Sequence, residues 1–136
     1  MSKIFIDSSV LIAACISKTG SARQLIVSSF KSKHEIYISN LVFEETMHNL
    51  SDKVPAVVPV FRLLQTNFPF RRSKPSKKLI LKVSKSIEWK DAPIVAAAIE
   101  IKADYLVTFD KKHLLSKKDI IKNKYHLKVI TPDELI

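Results

Sequence analysis

A chain of 136 residues with 46% hydrophobic and 26% charged residues, one Gly and six Pro, has the composition of a folded protein with few tight turns, which argues against disorder. Its 23 Lys and Arg against 13 Asp and Glu leave a formal net charge of +10, which favours polyanions, nucleic acid first, as partners, with a lysine-rich solvated surface as the plain alternative. The single Cys15 excludes an intramolecular disulfide and a cysteine-based zinc site, and no apolar run reaches the ~20 residues needed to cross a bilayer, so one cytoplasmic domain spanning residues 1–136 and no membrane is the expectation.

Lys3 to Ile6 reads as a short buried strand, and Asp7-Ser8-Ser9 supplies the residue types that start a helix. The stretch meets this acid after only three apolar residues, unlike a signal peptide. Ser21 to Phe30 has helical spacing and Glu35 to Ile38 reads as a second strand. Ser39-Asn40 can cap a helix from Leu41 to Leu50, which brings Glu45 near its apolar face. Another helix is expected over Ala56 to Thr66, with Pro55 and Pro59 tolerated at its start.

Phe68 to Lys78 then carries a proline pair and five basic residues, Arg71, Arg72, Lys74, Lys77 and Lys78, candidate contacts for a nucleic-acid backbone on an irregular connection, with an edge strand expected near Phe68 to Arg71. Leu79 to Ile87 continues as a helix, and Asp91-Ala92-Pro93-Ile94 begins the next, with proline in its first turn. Tyr105 to Phe109 reads as a buried strand, Lys111 to Lys124 as a basic loop and helix, and Leu127 to Ile130 as a last strand. Strands alternating with helices predict an α/β chain whose parallel sheet is covered on both faces. Its functional crevice belongs at the C-terminal ends of the strands.

Asp7 and Asp110 each follow a predicted strand, Asp91 opens the helix leading into the Asp110 strand, and Glu45 can point the same way. Each has a plain reading alone: Asp7 and Asp91 as helix caps, Asp110 as a turn residue, Glu45 and Glu44 as solvated helix acids. Placed together, such acids repel one another, and a divalent cation with oxygen ligation, Mg²⁺ or Mn²⁺, reconciles them. The implied chemistry is metal-assisted phosphodiester hydrolysis, with Lys111 and Lys112 beside the site to attract phosphate.

Other chemistries fail on spacing. The histidines lack a zinc pattern, Ser8 and Ser9 lack a nucleophile elbow, and the lone Gly20 cannot build a phosphate-cradling loop. His113 reads as a surface histidine after a turn, with phosphate contact as its second reading.

Ile4-Phe5-Ile6-Asp7-Ser8-Ser9-Val10-Leu11, Ile38-Ser39-Asn40-Leu41-Val42-Phe43-Glu44-Glu45, Asp91-Ala92-Pro93-Ile94 and Ala103-Asp104-Tyr105-Leu106-Val107-Thr108-Phe109-Asp110 together resemble the PIN domain family, the fold of VapC-like toxins and several RNA-processing nucleases. The resemblance implies a three-layer α/β/α fold around a central parallel sheet of four to five strands. It implies metal-binding and catalytic roles for Asp7, Glu45, Asp91 and Asp110, with Glu44 the competitor for Glu45. Ser9 and Thr108 would hold a water or orient a carboxylate, and Glu88 would be an optional helper. Members with all four acids are usually Mg²⁺- or Mn²⁺-dependent endoribonucleases, commonly homodimeric, with single-stranded or structured RNA as substrate. A toxin paired with a cognate antitoxin is the expected role. The alternative is an inactive PIN-like module that binds RNA or protein in an RNA-processing complex.

Overall fold

The computed structural model describes residues 2–32 and 34–136. Its first strand, β1 (Lys3–Ile6), buries Ile4, Phe5 and Ile6 alike. Successive strand side chains point to opposite faces, so burial of all three requires cover on both. Helices α1 (Ser8–Ile16) and α2 (Ser21–Lys31) follow, then β2 (Glu35–Ser39), α3 (Asn40–Lys53) and α4 (Val58–Asn67). The second half holds β3 (Arg71–Ser73), α5 (Lys77–Val83), α6 (Ala92–Glu100), β4 (Tyr105–Val107), α7 (Lys118–Tyr125) and β5 (Lys128–Ile130). The five strands are parallel, in the order β3-β2-β1-β4-β5, giving a three-layer α/β/α fold.

That order creates the position on which the site depends. The chain builds outward from β1 through β2 to β3, then returns to the other side of β1 with β4 and β5. Connections leaving β1 and β4 diverge, opening a crevice at their C-terminal ends. Ile6 pairs with Val107 in register, and the Asp7 N–H donates to the Val107 carbonyl at 3.0 Å. The residues just beyond both strands, Asp7 and Thr108 to Asp110, therefore meet at the mouth of that crevice.

Several predicted boundaries move. The edge strand lies at Arg71–Ser73 rather than Phe68 to Arg71, with Tyr37 opposite Arg71 and Ser39 opposite Ser73. Phe68 and Phe70 instead pack on Phe30, with ring centroids 5.2 and 6.2 Å apart. Aromatic burial outweighs their strand propensity. Strand β4 stops at Val107, two residues early: the Thr108 N–H still reaches the Ile130 carbonyl at 2.9 Å, but Phe109 turns out and is 37% exposed.

Helix α5 begins at Lys77 because the Ser76 hydroxyl accepts the Leu79 N–H, and it ends at Val83, short of the expected Ile87. Ile87 remains buried. The expected helix over Ala56 to Thr66 is split into a 3-10 turn, Pro55–Val57, and α4, with Pro59 in the latter's first turn. Helix α3 runs on to Lys53, and the basic segment after Asp110 is helical only from Leu115. Among the described residues no single helix is long and apolar enough to cross a membrane.

Candidate active site

Asp7 is the buried centre of the crevice. Its Oδ1 accepts the Ser8 N–H at 2.8 Å, the helix cap that its position suggested. Its Oδ2 accepts from the Thr108 hydroxyl at 2.8 Å and the Ser9 hydroxyl at 3.2 Å. Both hydroxyls are also held by the turn after β4. The Asp110 N–H donates to Thr108 Oγ1 at 2.9 Å and the Phe109 N–H donates to Ser9 Oγ at 3.0 Å. Ser9 Oγ and Thr108 Oγ1 also lie 3.3 Å apart, so the two hydroxyls and the Asp7 carboxylate form one hydrogen-bonded cluster, with Thr108 the nearer donor to Oδ2. The β4 turn is thus tied through Ser9 and Thr108 to the Asp7 carboxylate.

Three further acids face the same space. The crevice, of about 360 Å³, is lined by Asp7, Glu45, Asp91 and Asp110, with Ile12, Ile94 and Leu114 as apolar wall. Asp91 precedes α6 and makes no side-chain cap bond, so its carboxylate stays free of the helix start. The capping explanation fails there. Asp110 accepts the His113 N–H at 2.9 Å, so its turn role and its place in the crevice coexist.

Glu45 and Glu44 separate by helix rotation. Val42, Thr46 and Leu50 form the buried stripe of α3. At about 100° per residue, Glu45 sits at the border of that stripe and Glu44 points well away from it. Glu45 lines the crevice. Glu45→Gln is expected to lower any activity of this site at least about tenfold, while Glu44→Gln leaves it unchanged. Equal losses in a parallel rate measurement would refute the distinction.

The electrostatics match the geometry. Burial pushes the Asp7 carboxyl above its ordinary value against the pull of its hydrogen bonds, and the Asp110 charge adds to the rise. Burial also raises Glu45, followed by the charges of Asp7 and Asp91. Asp91 is raised by burial, relieved in part by His113 and raised again by Asp110, Glu88 and Asp7. These acids therefore feel one another, and an all-oxygen donor set of desolvated, mutually repelling carboxylates suits a hard divalent cation. Cys15 is buried, which pushes its thiol up to about 11.

A pH dependence follows from these directions. A carboxyl whose pKa is raised by folding binds its proton more tightly in the folded state. Its stabilising contribution is complete below the unfolded value, about 4, and is lost as pH climbs through the raised folded value. The metal-free protein should lose stability from these groups on approaching neutrality. A cation that neutralises them should restore it, by about 2.7 kcal/mol at a hundredfold excess over Kd. The melting-temperature increment from Mn²⁺ over EDTA is therefore expected to be larger at pH 7.5 than at pH 5, and a reversed trend would remove these carboxylates as ligands.

Two residues given little or no weight on sequence join the site. His113 is half-buried, with Nδ1 3.6 Å from Asp91 Oδ2 and 3.9 Å from Glu88 Oε2. One ligand atom each from Glu88, Asp91 and His113 lie within 4.8 Å of one another. The Asp110 turn places His113 there; the spacing Asp110-Lys111-Lys112-His113 was the available signal. Lys90 lines the crevice directly before Asp91 and contributes its positive charge.

The other basic candidates divide. Arg71 lies 3.9 Å from Glu35, while Arg72 stacks its guanidinium 4.8 Å from the Phe43 ring and reaches Asn40 Oδ1 at 3.4 Å. Both arginines have partners within the chain. Lys74, Lys77, Lys78, Lys111 and Lys112 are exposed, the last two beside Asp110.

A family model described as PIN domain matches residues 3–112. No curated protein matches the chain in sequence. Among solved structures, VapBC2 of Rickettsia felis, bound to a DNA fragment from their promoter, is similar with TM-score 0.70 and 18% identity over 93% of this chain and 98% of that one. VapC20 of Mycobacterium tuberculosis, a toxin that cleaves the sarcin-ricin loop, is similar with TM-score 0.57 and 18% identity over 80% and 91%. A Pyrobaculum aerophilum protein is similar with TM-score 0.67 and 19% identity over 98% and 86%. At these identities the structural likeness speaks to the fold.

Proposed function

Because the chain belongs to the PIN domain family, we propose that its crevice is the active site of a metal-dependent endoribonuclease that hydrolyses RNA phosphodiester bonds. The observation that carries this reading is the convergence of Asp7, Glu45, Asp91 and Asp110, from four separate chain segments, on one small crevice. Asp7 caps α1 and Asp110 holds its turn, but neither role calls for four carboxylates on one crevice, and like charges brought together cost energy unless neutralised.

In this reading Asp7, Glu45, Asp91 and Asp110 hold Mg²⁺ or Mn²⁺, with Glu88 a supporting acid. The cation supplies Lewis acidity at the scissile phosphate. Ser9 and Thr108 keep the Asp7 carboxylate in one orientation, so no reorganisation is needed when phosphate charge builds up. Lys90, Lys111 and Lys112 draw the RNA backbone toward the acids, and Lys74, Lys77 and Lys78 are candidates to hold it further out, with Arg71 and Arg72 if they leave their internal partners. Ile12, Ile94 and Leu114 keep water from part of the wall, which strengthens every charge interaction inside.

The toxin of a toxin–antitoxin pair is the proposed biological role, supported by two fold neighbours, one bound to promoter DNA and one a toxin that cleaves the sarcin-ricin loop. A cognate antitoxin and a second copy of the chain are then its protein partners. The test is direct: purified protein should cleave RNA with Mg²⁺ or Mn²⁺ and stop in EDTA. Cleavage that persists in EDTA would overturn the metal assignment. No cleavage with either metal, together with no Mn²⁺ binding by calorimetry, would leave an inactive PIN-like module.

A further inference from the structure

Trp89 is the chain's one tryptophan and is 75% exposed. It lies in the connection from α5 to α6, two residues before Asp91, with exposed Glu88 and Lys90 on either side. Phe109 is 37% exposed, lines the crevice and directly precedes Asp110. Each of the two segments that deliver an acid to the α6 and β4 sides of the site thus also presents an aromatic ring. Core packing explains neither ring's exposure. A protein interface would present contiguous apolar surface, whereas Trp89 has charged residues as its immediate chain neighbours.

Aromatic faces among cations beside a phosphate-processing crevice fit one ligand chemistry well. A phosphate drawn to the acids carries nucleobases on either side, and every unpaired base has a π-face that can stack on an indole or phenyl ring. Bases inside a duplex have both faces occupied by their neighbours. We propose that Trp89 and Phe109 are stacking platforms for unpaired nucleobases flanking the phosphate in the crevice, a subsite that holds the bases on either side of the acids. The proposal rests on the nuclease reading for its phosphate and adds a base-binding subsite that the acids do not supply.

The lone tryptophan reports on this subsite through its own fluorescence. The probe is a single-stranded RNA of about 12 nucleotides, compared with the same strand in a blunt duplex, added to Asp7→Asn protein with Mg²⁺ so that binding is read without cleavage. The single strand should quench Trp89 and the duplex should not. Trp89→Ala should weaken binding of end-labelled single strand about 5- to 150-fold with an unchanged salt slope, because stacking releases no counterions, and Trp89→Phe should recover most of the loss.

Equal quenching by duplex, or unchanged affinity in Trp89→Ala, would overturn the proposal. So would a concentration-dependent blue shift of Trp89 in RNA-free protein, which would assign the indole to a protein interface. Cleavage by the wild-type protein is scored separately. Metal-dependent cleavage with a silent Trp89 removes the stacking subsite alone, whereas selective quenching without cleavage supports the subsite and removes the nuclease reading.

Discussion

Asp7→Asn is expected to reduce RNA cleavage about 10³-fold or more, the loss of roughly 4 kcal/mol of transition-state stabilisation. The substitution keeps the side chain's shape, and the asparagine carbonyl can still accept the Ser8 N–H that starts α1. What it removes is the most buried charge of the crevice, at the point where the hydroxyls of Ser9 and Thr108 converge. The same change removes the cost of ionising a buried Asp7 but also the Oδ2 acceptor of the Ser9 and Thr108 hydroxyls, so the stability of the metal-free variant should fall less between pH 5 and pH 7.5 than that of the wild type. Inactivity combined with a melting temperature in EDTA that depends less on pH separates a functional carboxylate from a structural one. Cleavage within tenfold of wild type, or a variant that fails to fold, would assign Asp7 to the scaffold.

Thr108→Val is the second large effect. Thr108 is fully buried, and valine matches its shape while deleting the hydroxyl that accepts from the Asp110 N–H and donates to Asp7 Oδ2. Two groups lose a partner at once. The expected cost is about 1–3 kcal/mol of stability for the unsatisfied polar groups, with a further 10- to 100-fold loss in Mn²⁺ affinity or cleavage because Asp7 is no longer aimed. Calorimetry with Mn²⁺ on folded protein isolates the second part. Thr108→Ser should recover most of it, and a Thr108→Val protein that binds Mn²⁺ like wild type would reduce Thr108 to a packing residue.

Much of the site was legible locally. Asp7 and Asp110 stand at the ends of short apolar runs, and a strand's exit is set by the residues that follow its last buried side chain. Asp91 was legible as the start of α6 because Pro93 tolerates only a first-turn position. Glu45 was harder. A one-residue change along a helix swings the side chain by about 100°, and the packing of Val42, Thr46 and Leu50 against the rest of the chain decides which acid borders the crevice.

Boundaries failed where distant contacts outweighed local preference. Phe68 and Phe70 have strand propensity, yet they are drawn to Phe30, and the ladder to β2 starts only at Arg71. Phe109 continues an apolar run, yet the Thr108 and Ser9 hydroxyls capture the backbone amides of Asp110 and Phe109 and turn the chain out of the sheet. The last two residues assigned to the strand on sequence are, in the fold, the device that orients Asp7.

By itself, then, the amino-acid sequence determined the strand and helix rhythm, the acids that stand at element ends and the basic character around them, because each depends on neighbours a few positions away. Only the tertiary structure decided that β1 lies beside β4, that Glu45 rather than Glu44 joins the crevice, that His113 reaches Asp91, and that Trp89 and Phe109 stay exposed. Those outcomes depend on sheet order, helix rotation and the competition of buried contacts between residues as many as a hundred positions apart, and no local spacing encodes them.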